Sequence, residues 1–274
     1  MKASQMFSVE DYGAIVTGGA SGIGLAMVEV LAEHGARVTI LDLNAERVAQ
    51  EVGRLTRAGC EVCGQAVDVS DRAAVDAAFS DASQRYGRLD VVFANAGIDS
   101  GPGFVGMVDR SQRPPEYAIE NYGEDRWNQV IGVNLNSVLF CISAAARHMK
   151  PRQSGRIIVT TSTAAVRPSP GVGAAYMAAK AGAAHLVRNV AIELARYNIL
   201  VNAIAPGPFV TNIGGGHVHR PGVQSAIATR IPLKRMGQTE EVKGLALLLA
   251  SPASSFITGE QIVIDGGYTL GVAD

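Results

Sequence analysis

The stretch "VTGGASGIGLAMVEVLAEHG", residues 16–35, constrains this chain more than any other. It begins β-branched, as strands do, and ends with helical apolar spacing, and Gly18, Gly22 and Gly24 crowd the turn between. The glycines follow G-x-x-x-G-x-G rather than the commoner G-x-G-x-x-G, but their physical consequence is the same. A strand-to-helix turn free of side chains lets backbone N–H groups and a helix N-terminus approach a pyrophosphate. A plain glycine turn explains the pattern in isolation, so the rest of the chain must decide.

The same alternation continues. Helices are expected over about Gly22–His34, Ala45–Ala58, Ala73–Tyr86, Asp125–Met149 and a stretch holding Tyr176 that runs to about Tyr197. Short apolar runs stand between them: "ARVTILD", "EVCGQAVDV", "LDVVFANAG", "GRIIVTTS" and "ILVNAIAPG". Strands apolar on both faces, each followed by a helix, predict an α/β fold with a parallel sheet covered on both sides. No linker or internal repeat divides residues 1–274, which are read as a single doubly wound domain. Two stretches break the rhythm: an insertion at 99–122, and a glycine-dense loop at 206–222 whose flank extends to 232. Both follow strand carboxyl ends, where open α/β sheets place ligands.

Composition narrows the function. With 47% hydrophobic and 18% charged residues the chain is neither disordered nor fibrous, and a net charge of −1 leaves no footprint for nucleic acid. No apolar run reaches membrane-spanning length, and "MKASQMFSVEDYG" lacks a signal-peptide core, so a cytoplasmic setting is expected. Cys60 and Cys63 form a C-x-x-C, but in a strand i and i+3 face opposite ways, and Cys141 brings no second pair. They are read as packing. "HVH" at 217–219 has no nearby carboxylate or cysteine partner, so no metal is expected.

The strand ends carry the ligand candidates. Asp42 closes "VTILD" about 20 residues after the glycine turn, where an acid accepts both hydroxyls of an adenosine ribose. It would repel a 2′-phosphate by roughly 1–4 kcal/mol at close range. Arg37 and Arg47 are assigned to solvent-exposed element ends, so NAD is expected rather than NADP. Asp68 closes the third strand, a position suited to the adenine amine, and Asn95 and Gly97 close the fourth. Tyr176 and Lys180 stand one helical turn apart on one face. A phenol's ordinary pKa near 10 is too high for a base at neutral pH, and a neighbouring ammonium lowers it. The pair is thereby a candidate acid/base.

Taken together, Thr17 to Gly24, Asn95-Ala96-Gly97, Asn134 in "GVNLNSV", Ser162, Tyr176 with Lys180, and Pro206-Gly207 with Thr211 resemble the short-chain dehydrogenase/reductase family over about residues 11–268. The resemblance implies a Rossmann-type sheet of about seven strands, the last in "SSFITGEQIVIDGGY". It implies Tyr176 as catalytic acid/base, Ser162 on the substrate oxygen, Lys180 on the nicotinamide ribose, and Asn134 fixing a water for proton relay. It further implies Gly18, Ser21, Gly22, Ile23 and Gly24 along the pyrophosphate and ribose, with Asp42 and Leu43 at the adenosine ribose. Asp68 and Val69 would meet the adenine, Asn95, Ala96 and Gly97 the next ribose, and Pro206, Gly207, Phe209 and Thr211 the carboxamide side. Ser162 lies 14 residues before Tyr176, where 13 is common; Thr163 fits the shorter count, but alignment on "GRII" selects Ser162.

The expected reaction is interconversion of a secondary alcohol (a sugar, polyol or hydroxy acid) and a ketone; the helices around 125–149 and 175–197 resemble the family's oligomer-forming pair, which implies a homotetramer, with a dimer as the alternative. An NADPH-dependent reductase of 3-oxoacyl groups on acyl carrier protein is the alternative, disfavoured by Asp42. A non-catalytic cofactor sensor is the remote one, since Ser162, Tyr176 and Lys180 are all present. Substrate contacts are sought in His217, His219, Arg220, Arg167, Arg110 and Arg113.

Overall fold

The computed structural model describes residues 2–99, 115–169 and 172–271. Seven strands form one sheet: β1 (Gly13–Thr17), β2 (Arg37–Asp42), β3 (Val62–Ala66), β4 (Val91–Ala94), β5 (Gly155–Thr160), β6 (Ile199–Pro206) and β7 (Gln261–Ile264). Their order is β3-β2-β1-β4-β5-β6-β7, and every pairing is parallel. The helices are α1 (Ala3–Met6), α2 (Gly22–Glu33), α3 (Ala45–Arg57), α4 (Arg72–Tyr86), α5 (Glu124–Ile131), α6 (Ser137–Met149), α7 (Ala174–Ala195), α8 (Val223–Ala228) and α9 (Lys243–Ala250).

The central strands are apolar on both faces because both faces are covered. Ile15 packs into the layer of α4, α6 and α7, while its neighbours Ala14 and Val16 pack into the layer of α2, α3 and α9. Each such aliphatic side chain, fully buried, contributes roughly 1.5–3 kcal/mol. A smaller cluster of Val218, Val223, Ile227, Ile231 and Met236 supports the 206–232 loop from beneath. The chain order reverses between β1 and β4, and the carboxyl ends of these two strands therefore open a crevice.

The helix expected over Asp125–Met149 is not regular throughout. Residues Gly132–Asn136 form a π turn between α5 and α6, with the Ser137 N–H bonded to Gly132 O. Asn134 supplies the cause. Its Nδ2 donates to Val130 O at 3.0 Å, the carbonyl that a regular α-turn gives to the Asn134 N–H, and also to Ile98 O at 2.8 Å. The run Glu124–Arg152 contains an 18-residue window apolar enough to span a membrane, with mean hydropathy 1.5, but half of that window is buried inside the fold. β3 is shorter than the sequence suggested and leaves Cys60 outside it; Cys63 Sγ lies 3.1 Å from the Tyr86 hydroxyl.

Candidate active site

β1 ends at Thr17, and the chain turns sharply because Gly18 and Gly22 adopt positive φ, 63° and 56°. A Cβ on Gly18 would lie 2.9 Å from the Ala96 Cα, so glycine is required for β1 and the 95–97 segment to meet. A Cβ on Gly24 would collide with the Gly18 carbonyl and the Asn95 amide. A Cβ on Gly22 would meet nothing closer than the Thr211 side chain at 3.7 Å, across the mouth of the crevice. Ser21 caps α2 without a side-chain hydrogen bond, which leaves the first N–H groups of that helix free for an anion. These features fit the pyrophosphate of a dinucleotide.

Thr17 ties the two sides of the crevice together. Its Oγ1 accepts the N–H groups of Asn95 and Ala96 at 3.0 and 3.1 Å, while Asn95 Nδ2 donates to Thr17 O at 3.0 Å. Asn95 Oδ1 in turn accepts from Thr160 Oγ1 at 3.0 Å. Asn95 is thus a fixed strut, with the Ala96–Gly97 backbone exposed to the cleft beside it.

At the β2 tip, Asp42 Oδ2 accepts the Ala20 N–H and Oδ1 the Asn44 N–H, both at 3.1 Å. The carboxylate is therefore oriented by backbone from two loops. Leu43 is 73% exposed and forms an apolar ledge on the cleft. Arg47, assigned from sequence to a solvent-facing helix end, is exposed but also lines the cleft near Asp42; it sits in the first turn of α3, which curls back over the β2 tip. Arg37 is turned away, with Nη2 donating to Asp11 O at 2.8 Å. Asp68 holds Ser70 through its N–H and hydroxyl, at 2.8 and 2.7 Å, and borders the cleft with Val69.

The reactive side chains gather where β5 and α7 converge. Ser162 begins a 3₁₀ turn, and its Oγ accepts the Ala164 N–H at 3.1 Å. Thr163 is buried, while Ser162 is partly exposed to the cleft. Lys180 is 2% exposed; its Nζ donates to Thr160 O at 2.7 Å and lies 5.6 Å from the centre of the Tyr176 ring. Burial pushes Lys180 down to about 8. Tyr176 departs from the sequence expectation. Burial, with the Asp99 carboxylate nearby, pushes its phenol up, and a hydrogen bond with Ser162 pulls it only partly back.

Gly24 follows one turn into α2, and Gly18, Ser21, Gly22, Ile23 and Gly24 all border one cleft of about 570 Å³. Asp42, Leu43, Asp68, Val69 and the 95–97 segment border it too, as do Ser162, Tyr176 and Lys180. Pro206, Gly207, Phe209 and Thr211 close the far wall. Asn134 does not reach the cleft. It is fully buried behind Gly97, with Oδ1 accepting the Ile98 N–H at 3.2 Å and Nδ2 already committed. A Cβ on Gly97 would lie 2.8 Å from Asn134 Oδ1 and 3.3 Å from Lys180 Nζ, so glycine lets both groups close on the same spot.

Of the loop candidates among the described residues, only Arg167 borders the cleft; Asn212 and Ile213 do so where His219 and Arg220 were expected. His219 Nε2 lies 3.1 Å from Asn212 Oδ1, behind the cleft wall. The side chain of His217 and residues Arg110 and Arg113 lie outside the described structure. Sequence reasoning missed Thr160, Asp99 and Tyr268, which also border the cleft. Their only signal is adjacency to strand ends, which many residues share.

Comparisons with known proteins agree with this geometry. A family model described as enoyl-(acyl carrier protein) reductase matches residues 18–269. Gluconate 5-dehydrogenase of Gluconobacter oxydans (strain 621H) is 32% identical over 270 residues, covering 98% of this chain and 99% of its own. Cis-4-hydroxycyclohexanecarboxylate dehydrogenase of Sinomonas cyclohexanicum is 38% identical over 258 residues, covering 93% and 96%. Among solved structures, a gluconate 5-dehydrogenase from Burkholderia cenocepacia J2315 in complex with NADP and tartrate superimposes with a TM-score of 0.87 at 32% identity, covering 98% of this chain and 99% of that one. On its sequence, its sheet and its relatives, the chain belongs to the short-chain dehydrogenase/reductase family of oxidoreductases.

Proposed function

We propose that the chain interconverts the secondary alcohol of a polyhydroxy or hydroxy acid and the corresponding ketone, with NAD as the preferred hydride carrier. The observation that carries this reading is the convergence of Ser162, Tyr176 and Lys180 on the cleft that the glycine turn and Asp42 also border. The relatives act on gluconate and a hydroxycyclohexanecarboxylate, both secondary alcohols that carry a carboxylate.

A nicotinamide dinucleotide held along Gly18–Gly24, Asp42 and Lys180 would supply the hydride acceptor and a positive charge. Tyr176 takes the alcohol proton in oxidation and returns it in reduction. Ser162, its Oγ held by the Ala164 N–H, donates to the substrate oxygen and favours the phenolate. Lys180 uses one N–H on Thr160 O and keeps two donors for the ribose. The Asn134 side chain anchors the Ile98 backbone, so any water it contributes to a relay is held by the loosened π-turn backbone rather than by its amide.

The NAD preference rests on Asp42, whose carboxylate is oriented by Ala20 and Asn44. Arg47 on the same rim, and the NADP held by the Burkholderia relative, make NADP the necessary comparison. Initial rates on a panel of secondary alcohols, sugars and hydroxy acids, followed by NADH or NADPH absorbance, test both parts. We expect oxidation of a hydroxy acid with kcat/KM at least about tenfold higher for NAD, since a 1.4 kcal/mol penalty on the 2′-phosphate is enough. Higher efficiency with NADP refutes the cofactor assignment. We place the enzyme in the cytoplasm. Exposed Trp127, Leu139 and Ile192 on α5, α6 and α7 support a homotetramer built on those helices.

A further inference from the structure

The cleft holds a cation that proton transfer and dinucleotide binding leave unused. Arg167 follows Ser162 by five residues, on the turn that leaves the 3₁₀ segment Thr163–Ala165, and its N–H donates to Thr163 O at 2.9 Å. Its backbone is thereby fixed to the element that aims Ser162. On its other side the guanidinium is tethered: Nη1 donates to Tyr268 O at 3.2 Å and Thr269 O at 3.4 Å, with Cζ 5.8 Å from the Tyr268 ring centre. Those carbonyls are themselves anchored. Asp265 Oδ2 accepts the Thr269 N–H and hydroxyl at 2.7 and 2.8 Å, and Oδ1 the Gly267 N–H at 2.8 Å.

The tether orients the guanidinium without neutralising it. Among the described residues no carboxylate pairs with Arg167, whereas Arg54, Arg88 and Arg235 each pair with an acid. Nε and Nη2, the side-on fork that grips a carboxylate with two parallel bonds, carry no protein partner among the described residues. An acidic molecule entering the cleft is drawn to Arg167 by its charge.

We infer that Arg167 is the carboxylate anchor that selects hydroxy acids over neutral polyols and sets which carbon faces Tyr176. The inference rests on the alcohol-oxidising reading of this cleft for its catalytic consequence, but carboxylate binding can be measured without turnover. Two measurements separate them. The first is calorimetric binding of tartrate to the enzyme–NADH complex, for the wild type, Arg167→Gln and Arg167→Lys. The second is kcat/KM for the matched pair D-gluconate and D-glucitol.

Arg167→Gln is expected to weaken tartrate about 10- to 100-fold, the worth of charge-assisted hydrogen bonds, with Arg167→Lys intermediate because it keeps charge and loses the fork. Preference for gluconate over glucitol falls by the same factor, mainly through KM. An unaltered melting temperature shows that Arg167→Gln is folded. Tartrate binding that is absent in the wild type, or unchanged in Arg167→Gln, overturns the anchor. Arg167-dependent tartrate binding without oxidation of any secondary alcohol sustains the anchor and overturns the dehydrogenase reading instead.

Discussion

At the scale of residues, Ser162 and Thr163 differ in how they meet the cleft. Both hydroxyls border the cleft, but Thr163 is buried while Ser162 is partly exposed and has its Oγ fixed by the Ala164 N–H. Ser162→Ala is therefore expected to lower kcat by about 10²–10³, the cost of removing one oxyanion-type donor. Thr163→Ala is expected to lower it less than about tenfold, and steady-state kinetics on both variants discriminates. Reversed losses would move the donor to Thr163. Tyr176 and Lys180 were legible because an i, i+4 phenol and ammonium are chemically conspicuous. Thr17 was not: its hydroxyl joins two strand ends that only the folded sheet brings together. At Tyr176, spacing reports the nearby charge and says nothing of burial or of Asp99.

At the scale of elements, the strand–turn–helix unit was readable because its constraint is local. Gly24 makes the point physically, since a Cβ there would drive into the Gly18 carbonyl and the Asn95 amide. Gly24→Ala is expected to destabilise the fold by about 1–3 kcal/mol, as overpacking does, and to weaken NADH binding by distorting the turn. Denaturant unfolding and NADH fluorescence titration read the two effects; an unchanged midpoint with unchanged NADH affinity contradicts the close packing. The π turn at Gly132–Asn136 was hidden, because its cause is a contact between Asn134 and the Ile98 backbone, 36 positions away. Apolar periodicity runs smoothly through that stretch and gives no warning. The cleft-lining position of Arg47 was hidden for a similar reason, as helix entry angle is set by packing and not by the pattern of residues.

At the scale of the whole molecule, the parallel sheet followed from doubly apolar strands, while the site's energetics emerged only with the assembled core. Burial brings Lys180 from its ordinary 10.5 to about 8, a difference on the order of 3 kcal/mol in folding free energy. Below about pH 8 the buried ammonium opposes folding in full. Between about 8 and 10.5 the unfolded chain binds more protons here than the folded one, so stability rises with pH through that window. The melting temperature of the wild type, relative to Lys180→Met, should rise by about 5 °C from pH 7.5 to 10.5 without cofactor. A flat difference would mean that Lys180 is not buried as described. In the proposed mechanism, sheet, turn and helices together make Tyr176 the proton-transferring group. Single-variant kinetics of Tyr176→Phe on the best hydroxy acid substrate, paired with NADH titration, tests it most directly. The account predicts a fall in kcat of about 10³-fold or more with NADH affinity within about threefold of wild type; turnover retained at about a tenth of wild type or above would contradict it.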